Sequence, residues 1–338
     1  MSDSTPKAVL VTGANGYIGN AVARAFVRAG WTTYGLVRKE SAIPYLASQE
    51  IIPLLGSPSD TKFLTSLNEK KVIFDVIVST TEQILDYIPH YKDIISLLRT
   101  LATTSNVAGV RPLVLFTSGC KDYGMSPHLA DSPDLAPHTE DSPLNSPPVL
   151  ANRTKYAIQT FEHMDLFDAI VTRPTNVYGL SSSYYGEFFR FAEEAKKKGV
   201  LEFYEHPKTM LHALHVDSCG EAYVALAEHP DRNLVKGQCY NISSYRFETL
   251  EEIAEALAKE YEIEGGVKFL GNRDGGEEGP EVKVSGMLFG FSQWTGSEKL
   301  RRDTGWRDQR ILFSRGLRQY RIAYEAAREE GYNAFKFW

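Results

Sequence analysis

Cysteine is scarce in this 338-residue chain, and long apolar runs and an excess of basic residues are absent. The three cysteines, Cys120, Cys219 and Cys239, are scattered and lack metal-ligand spacing. This argues against a zinc site and favours a reducing compartment. No apolar run reaches the length of a membrane span, and a formal net charge of -6 gives no overall attraction to nucleic acid. The short polar segment before the first apolar run predicts no signal peptide, so we expect a cytoplasmic protein.

The first apolar run, residues 8–12, leads into a turn that contains Gly13, Gly16 and Gly19. A helical pattern follows directly. Gly13 allows a tight turn, Gly16 lets the backbone approach a pyrophosphate, and Gly19 lets the helix pack closely on the strand. The pyrophosphate charge would then lie at the helix N-terminus. This strand–turn–helix unit predicts a dinucleotide site, because a turn without a ligand would not need three glycines at this spacing.

Apolar runs alternate with helical patterns through the first two-thirds of the chain. Further runs of strand character occupy residues 32–37, 51–55, 74–79, 113–117, 169–172 and 238–242. This alternation predicts an α/β fold, with a doubly wound parallel sheet of the Rossmann type and helices on both faces. Residues 125–148 are too rich in proline for a regular element.

The C-terminal third has a different pattern. Thr249 and Glu252 form a capping-box signature that predicts a helix. Residues 272–280 form an acidic, glycine-rich loop, and residues 312–330 have the pattern of an amphipathic helix. We predict a Rossmann domain of residues 1–179 with 211–246, and a smaller, discontinuous substrate-binding cap of residues 180–210 and 247–338. The active site would lie between them, at the carboxyl ends of the strands.

The end of the second strand bears on which nicotinamide cofactor binds. An acidic residue there would bind the ribose 2′-hydroxyl of NAD, whereas a basic residue suits the 2′-phosphate of NADP. The strand is followed by Arg38 and Lys39, and arginine binds phosphate through two parallel hydrogen bonds. We therefore predict NADP rather than NAD, although Glu40 could reverse the preference.

Six motifs resemble those of the extended short-chain dehydrogenase/reductases, in the NAD(P)-dependent epimerase/dehydratase group, and they occur in the family's order. They are the glycine turn at 12–19, residues 116–124 at the end of the fifth strand, 139–143, 173–179, 214–217 and 299–306.

The resemblance implies a set of cofactor contacts. Residues at the glycine turn would hold the pyrophosphate, two residues would pass beside the ribose, and three would border the nicotinamide. In that order they are Gly13, Asn15, Gly16, Tyr17 and Ile18; Ser79 and Thr80; and Pro174, Asn176 and Val177. Lys155 matches the family lysine that binds the nicotinamide ribose.

The chain departs from the family pattern at the catalytic residues. The family tyrosine would stand four residues before Lys155, where this chain has Ala151. The family serine would fall on Gly119, and Ser118 could replace it only if the backbone bends at Gly119.

Three interpretations follow. In the first, another side chain supplies the proton, with Lys121, Tyr123 and Tyr156 as candidates. Residues 117–123 also resemble, more loosely, a motif of progesterone 5β-reductase and iridoid synthase, which carry a lysine at the place of Lys121. In the second, water or the substrate supplies the proton. In the third, the chain binds NADP(H) without turnover, as a regulatory or scaffold protein.

Aromatic residues are concentrated at 184–191 and 287–294, which favours an apolar substrate. The sequence therefore predicts an NADP(H)-dependent oxidoreductase of small apolar carbonyl or conjugated compounds, with Lys155, Ser118 and Lys121 as its catalytic residues. Sugar-nucleotide epimerase or dehydratase chemistry is a further alternative. We expect a small-molecule substrate and no metal, nucleic acid or membrane partner. The sequence is compatible with a homodimer but does not decide the oligomeric state.

Overall fold

The computed structural model describes residues 7–126, 128–181, 183–271 and 287–330. Its strands are β1 (Ala8–Thr12), β2 (Thr32–Val37), β3 (Ile52–Leu55), β4 (Val76–Ser79), β5 (Leu113–Thr117), β6 (Asp168–Pro174), β7 (Asn176–Tyr178), β8 (Leu201–Phe203), β9 (Met210–Leu211), β10 (Ala213–His215), β11 (Gln238–Ile242), β12 (Glu248–Thr249) and β13 (Val267–Phe269).

The α-helices are α1 (Tyr17–Arg28), α2 (Ile43–Ala47), α3 (Phe63–Glu69), α4 (Tyr87–Val107), α5 (Ala151–Gln159), α6 (Gly186–Lys198), α7 (Val216–Ala227), α8 (Arg232–Val235), α9 (Leu250–Glu260), Glu298–Thr304 and the C-terminal helix Leu317–Glu329. Short 3₁₀ turns lie at Glu40–Ala42, Cys120–Tyr123, Pro148–Leu150, Thr160–His163 and Ser183–Tyr185.

A seven-stranded parallel sheet in the order β11-β6-β5-β4-β1-β2-β3 forms the centre of the molecule. The strand order reverses between β1 and β4, because the chain winds outward from β1 in both directions. In sheets of this kind, ligands bind outside the carboxyl ends of the strands at that reversal.

Both faces of the sheet are covered, which explains why its strands are nearly continuous apolar runs. Val9 and Val11 of β1 point into a core shared with α1 and α7, including Phe26. Leu10, between them, points into a second core shared with α4, including Leu98. The predicted doubly wound α/β fold is therefore confirmed.

A third core belongs to the smaller layer beyond the carboxyl ends of the strands. It joins α6, α9, β8, the C-terminal helix and the residues around Phe289 and Phe313. At the start of α9 both hydrogen bonds of the predicted capping box are present, between Thr249 and Glu252. The domain boundaries given above stay predictions. The acidic loop of residues 272–280 lies outside the described residues.

In the part of the chain that the structure describes, no helix combines the length and the apolar character needed to cross a bilayer.

Candidate active site

Five of the predicted site residues are brought together at one edge of the sheet. Gly13 follows β1, Arg38 follows β2, Ser79 ends β4, Ser118 follows β5 and Pro174 ends β6. Since all five strands are parallel, these residues share the carboxyl edge, on both sides of the point where the strand order reverses. The sheet topology alone therefore gathers most of the predicted cofactor contacts along a single line.

The glycine turn has the geometry that its sequence predicted. Gly13 has φ +67°, a conformation that residues with a side chain rarely adopt. A Cβ on Gly19 would lie 2.3 Å from the carbonyl oxygen of Gly13, so α1 could not approach β1 this closely with a larger residue. Asn15 and Gly16 form the exposed tip of the turn. A pyrophosphate bound here would meet the backbone N–H groups that begin α1, so the residues present fit a dinucleotide.

Two side chains fasten this turn to its surroundings. The Thr80 hydroxyl donates a hydrogen bond to the carbonyl oxygen of Thr12, and the Thr80 N–H donates to the Thr12 hydroxyl. The Tyr17 hydroxyl donates to the carbonyl oxygen of Gly179, just after β7. Tyr17 thereby links the predicted pyrophosphate site to the point where the chain passes into the cap.

Arg38 lies beside an open depression at the ends of β2 and β3. The depression has a volume of about 610 Å³, and its lining includes Arg38, Glu40, Ser57 and Lys62. The Arg38 side chain is exposed, and no hydrogen bond or ion pair joins it to another described residue. The side chain is therefore available to a ligand phosphate, and the preference for NADP over NAD stays a prediction.

The predicted nicotinamide contacts lie farther along the same edge. Asn176 and Val177 belong to β7, directly after Pro174. Lys155 is exposed on α5, one helical turn after Ala151, which is also exposed. The side chains of Lys155 and Ala151 therefore lie on the same face of α5. The role of Lys155 as a ribose ligand stays a prediction.

Ser118 does not face open space in the cleft. Gly119 is extended, with φ −172° and ψ 156°, so the bend that Ser118 would need is absent. The Ser118 hydroxyl is buried and donates to Oδ2 of Asp122 at 2.5 Å. A catalytic role for Ser118 stays a prediction, and its hydroxyl would first have to leave Asp122.

Sequence reasoning missed the buried carboxylate of Asp122. Besides Ser118, it accepts hydrogen bonds at Oδ1 from Thr154 at 2.8 Å and from Arg153 Nη2 at 2.8 Å. Arg173 Nε lies 3.5 Å from Oδ2. The Asp122 side chain is only 1 % exposed, so the two guanidinium groups supply the charge compensation that a buried carboxylate needs.

Sequence reasoning also missed Arg153, whose guanidinium lies in the space where the side chain of the family serine would be expected. A Cβ built on Gly119 would lie 3.3 Å from Arg153 Nη2 and 3.4 Å from Nη1. Nη1 of Arg153 also lies 3.3 Å from Oε1 of Glu82. Burial lowers the pKa of Arg153, but the carboxylates of Asp122 and Glu82 more than offset this and raise it, so the guanidinium stays charged. An arginine in the first turn of a helix is electrostatically unfavourable without nearby carboxylates; this signal could have drawn attention to it.

Among the three proposed proton donors, Lys121 is the one that reaches the cap. Its ammonium donates to the carbonyl oxygen of Met287 at 3.0 Å and lies 3.7 Å from the centroid of the Phe291 ring. Burial lowers the pKa of Lys121 to about 7, and the charge of Arg153 adds to this effect. An amine that titrates near neutrality can give up and regain a proton under physiological conditions.

The two tyrosine candidates are engaged elsewhere. The Tyr123 hydroxyl donates to Asn241 at 2.7 Å and accepts from Arg173 Nη1 at 2.9 Å, and its ring stacks on His138. Tyr156 packs against Tyr91, with ring centroids 5.0 Å apart. Both tyrosine side chains are therefore held by contacts that stabilise the fold.

The aromatic residues that favoured an apolar substrate lie mainly inside the cap. Tyr185, Phe188 and Phe189 are fully buried in the third core, where Phe289 packs against Phe188. Two aromatic residues of these segments lie by the charged side chains near the carboxyl edge: Phe291 beneath Lys121, and Tyr184 near Glu82 and Arg153. The aromatic content of the cap therefore reflects its own packing more than the chemistry of a substrate.

Comparison with known proteins agrees with the fold. The sequence model of the NAD dependent epimerase/dehydratase family matches residues 9–243, more than half of the chain. No curated protein sequence gives a significant match.

Several solved structures share the fold at low sequence identity. A dTDP-glucose 4,6-dehydratase from Bacillus anthracis, in complex with NAD, is 17% identical, covers 96% of this chain and 98% of its own, and has a TM-score of 0.70. A UDP-glucose-4-epimerase from Stenotrophomonas maltophila, with NAD and formylated UDP-arabinopyranose, is 15% identical. The match covers 96% of this chain and 100% of the epimerase chain, with a TM-score of 0.69. A short-chain dehydrogenase/reductase superfamily protein from Agrobacterium tumefaciens, with bound NAD, is 16% identical. The match covers 96% of this chain and 100% of that protein's chain, with a TM-score of 0.65.

Proposed function

Because the chain belongs to the NAD-dependent epimerase/dehydratase family, we propose that it is an NADP(H)-dependent oxidoreductase with a non-standard proton donor. Its substrate would be a small apolar carbonyl or conjugated compound, such as an enone or imine. The observation that carries this proposal is the position of the Lys121 ammonium, which follows β5 at the carboxyl edge of the sheet and lies 3.7 Å from the centroid of the Phe291 ring. The glycine turn supports it, because its geometry fits a nicotinamide dinucleotide.

The cofactor would be held by the glycine turn at its pyrophosphate, by Arg38 at the 2′-phosphate and by Lys155 at the nicotinamide ribose. When bound, it supplies the hydride that reduces the substrate. The cysteine usage given above is the ground for proposing a cytoplasmic location.

Lys121 would transfer the proton. Its Nζ gives a proton to the carbonyl oxygen, or to the atom that gains electron density in a conjugated substrate, and then recovers one from solvent. The pKa of about 7 balances the protonated fraction against the readiness to give up the proton. Because the donor is the protonated amine, turnover should fall as the pH rises through about 7.

The test is loss of NADPH absorbance with a panel of ketones, aldehydes and enones. We expect turnover by the unchanged protein and its loss, by about 10²-fold or more, in Lys121→Met, which keeps most of the side-chain volume. Lys197→Met, on the exposed end of α6, is the matched control and should behave as the unchanged protein. No turnover with any compound contradicts the reductase proposal. Full activity of Lys121→Met refutes the role of Lys121 and leaves water or the substrate as proton source.

Sugar-nucleotide chemistry is a second candidate, because two of the solved structures described above act on or bind nucleotide sugars by name. Arg301 and Arg302 could have served a diphosphate, but Arg301 pairs with Asp308 at 2.6 Å and Arg302 with Asp303 at 2.9 Å. Calorimetric titration with UDP-glucose and dTDP-glucose tests this candidate. If NADP binds tightly but neither sugar nucleotides nor carbonyl compounds are turned over, the alternative of a regulatory protein gains support.

A further inference from the structure

Arg153 has two unequal edges. One edge, formed by Nε and Nη2, lies on the buried carboxylate of Asp122 at 3.3 and 2.8 Å. The other, Nη1, meets Glu82 at 3.3 Å, and the Glu82 side chain is 39 % exposed. A charge-assisted hydrogen bond of good geometry would be about 2.7–2.9 Å long. The Asp122 edge is thus held firmly, whereas the Glu82 edge is held loosely by a group that can move into solvent.

The loosely held edge lies where the reaction is expected. A Cβ on Gly119, the residue at which the family resemblance places the serine that contacts the substrate oxygen, would be 3.4 Å from Nη1 and 3.3 Å from Nη2. Of these two nitrogens, Nη1 is the one that Asp122 does not hold. Lys121, two residues farther on, lies near the charge of Arg153 and donates to the carbonyl oxygen of Met287. When Lys121 is protonated, three cationic side chains (Arg153, Arg173 and Lys121) stand near the carboxylates of Asp122 and Glu82, and Glu140 also acts on Arg173. The charges are thus balanced while Glu82 is in place, and a bound carboxylate would restore that balance if Glu82 turned into solvent.

We propose that Arg153 recognises a carboxylate on the substrate, which takes the place of Glu82 at Nη1 while Asp122 continues to hold the opposite edge. Among carbonyl and conjugated compounds, this favours oxo acids and unsaturated acids over the uncharged, apolar ones proposed above. Their carboxylate would bind Arg153 and their reacting carbon would lie toward Lys121. The inference rests on the proposed function only in that the substrate enters this cleft. Glu82 acts as a competing anion that keeps Nη1 paired before the substrate arrives.

The test compares benzoate with benzamide, which have nearly the same shape and differ in charge. Each is titrated by calorimetry into the protein saturated with NADP. Benzoate should bind the unchanged protein at least tenfold more tightly than benzamide, since a hydrogen bond to a charged group outweighs one between neutral groups. Arg153→Gln should lose that preference, and Glu82→Gln should strengthen benzoate binding because the competing carboxylate is gone.

We expect Arg153→Gln to fold, because Asp122 keeps its contacts with Ser118, Thr154 and Arg173. Thermal unfolding of the variant checks this. Glu82→Gln tests the same proposal in the opposite direction and removes no buried charge. Arg99→Gln is the matched control, since it also removes two hydrogen bonds from an arginine to one carboxylate, that of Asp165, but lies on α4 with a largely exposed partner. It should leave benzoate binding unchanged.

Equal binding of benzoate and benzamide to the unchanged protein overturns the proposal. So does benzoate binding that Arg153→Gln leaves intact or that Glu82→Gln weakens. If benzoate binds through Arg153 but no compound consumes NADPH, the carboxylate site stands and the reductase proposal falls. If NADPH is consumed equally with oxo acids and their methyl esters, the reductase proposal stands and the carboxylate site falls.

Discussion

His212 should make the fold sensitive to mild acid. Both nitrogens of its buried ring are used: Nδ1 accepts a hydrogen bond from the Thr295 N–H at 3.2 Å, and Nε2 lies 3.1 Å from the carbonyl oxygen of Ser244. The ring is therefore neutral, with its proton on Nε2. Protonation of Nδ1 would break the bond to Thr295 and leave a charge away from water. Burial accordingly lowers the pKa of His212 from 6.5 to about 4.

The sign and size of the effect follow from these two pKa values. A group whose pKa is lower in the folded state binds more protons when the chain unfolds, so stability falls as the pH drops from 6.5 toward 4. At pH 5 an unfolded histidine is almost fully protonated, whereas folded His212 is about one-tenth protonated. The difference lowers the free energy of unfolding by about 2 kcal/mol relative to pH 7.5.

Urea unfolding at pH 7.5, 6 and 5 measures this loss. Other groups titrate over the same range, so the quantity of interest is the difference in pH dependence between the unchanged protein and His212→Gln, which cannot titrate. We expect the variant to lose about 2 kcal/mol less between pH 7.5 and pH 5. His206→Gln, at an exposed histidine, should follow the unchanged protein. Parallel curves for the unchanged protein and His212→Gln, or a folded-state pKa near 6.5 from NMR titration of the ring, would refute the reasoning.

Two further predictions concern the cofactor. Gly19→Ala places a Cβ 2.3 Å from the Gly13 carbonyl oxygen and 2.6 Å from the Thr80 hydroxyl, so α1 must move away and NADPH affinity, measured by fluorescence titration, should fall by about tenfold or more; unchanged affinity would show that α1 does not form the binding site. Arg38→Asp should weaken NADPH binding by about 10- to 100-fold and leave NADH binding unchanged or improved, because in the proposed complex the arginine would meet only the 2′-phosphate; equal losses for both cofactors would contradict the assignment.

The sheet could be predicted from the sequence because strands buried on both faces are continuous apolar runs. β2, β5 and β11 begin and end at the predicted residues, and β6 is longer than its predicted run of 169–172. The glycine turn could be predicted for a related reason, since its constraints are local in the chain. In both cases the relevant contacts fall within a short segment or follow from periodicity.

The charged cluster could not be predicted in this way. Arg153 is 31 residues from Asp122 and 71 from Glu82, and no periodic pattern connects them. The aromatic residues of the cap posed a different difficulty, because a buried core and the wall of a pocket require the same residue types. Phe188 and Phe189 belong to the core, and only the packing of α6 against the rest of the cap decides this.

The hydrogen bond from Tyr17 to Gly179 has a consequence for the order in which ligands bind. Tyr17 belongs to the turn that would hold the pyrophosphate, and Gly179 immediately precedes the predicted cap. A dinucleotide that immobilises the turn therefore also immobilises the residue from which the cap departs. We therefore expect the cofactor to bind before the substrate and to leave after the product.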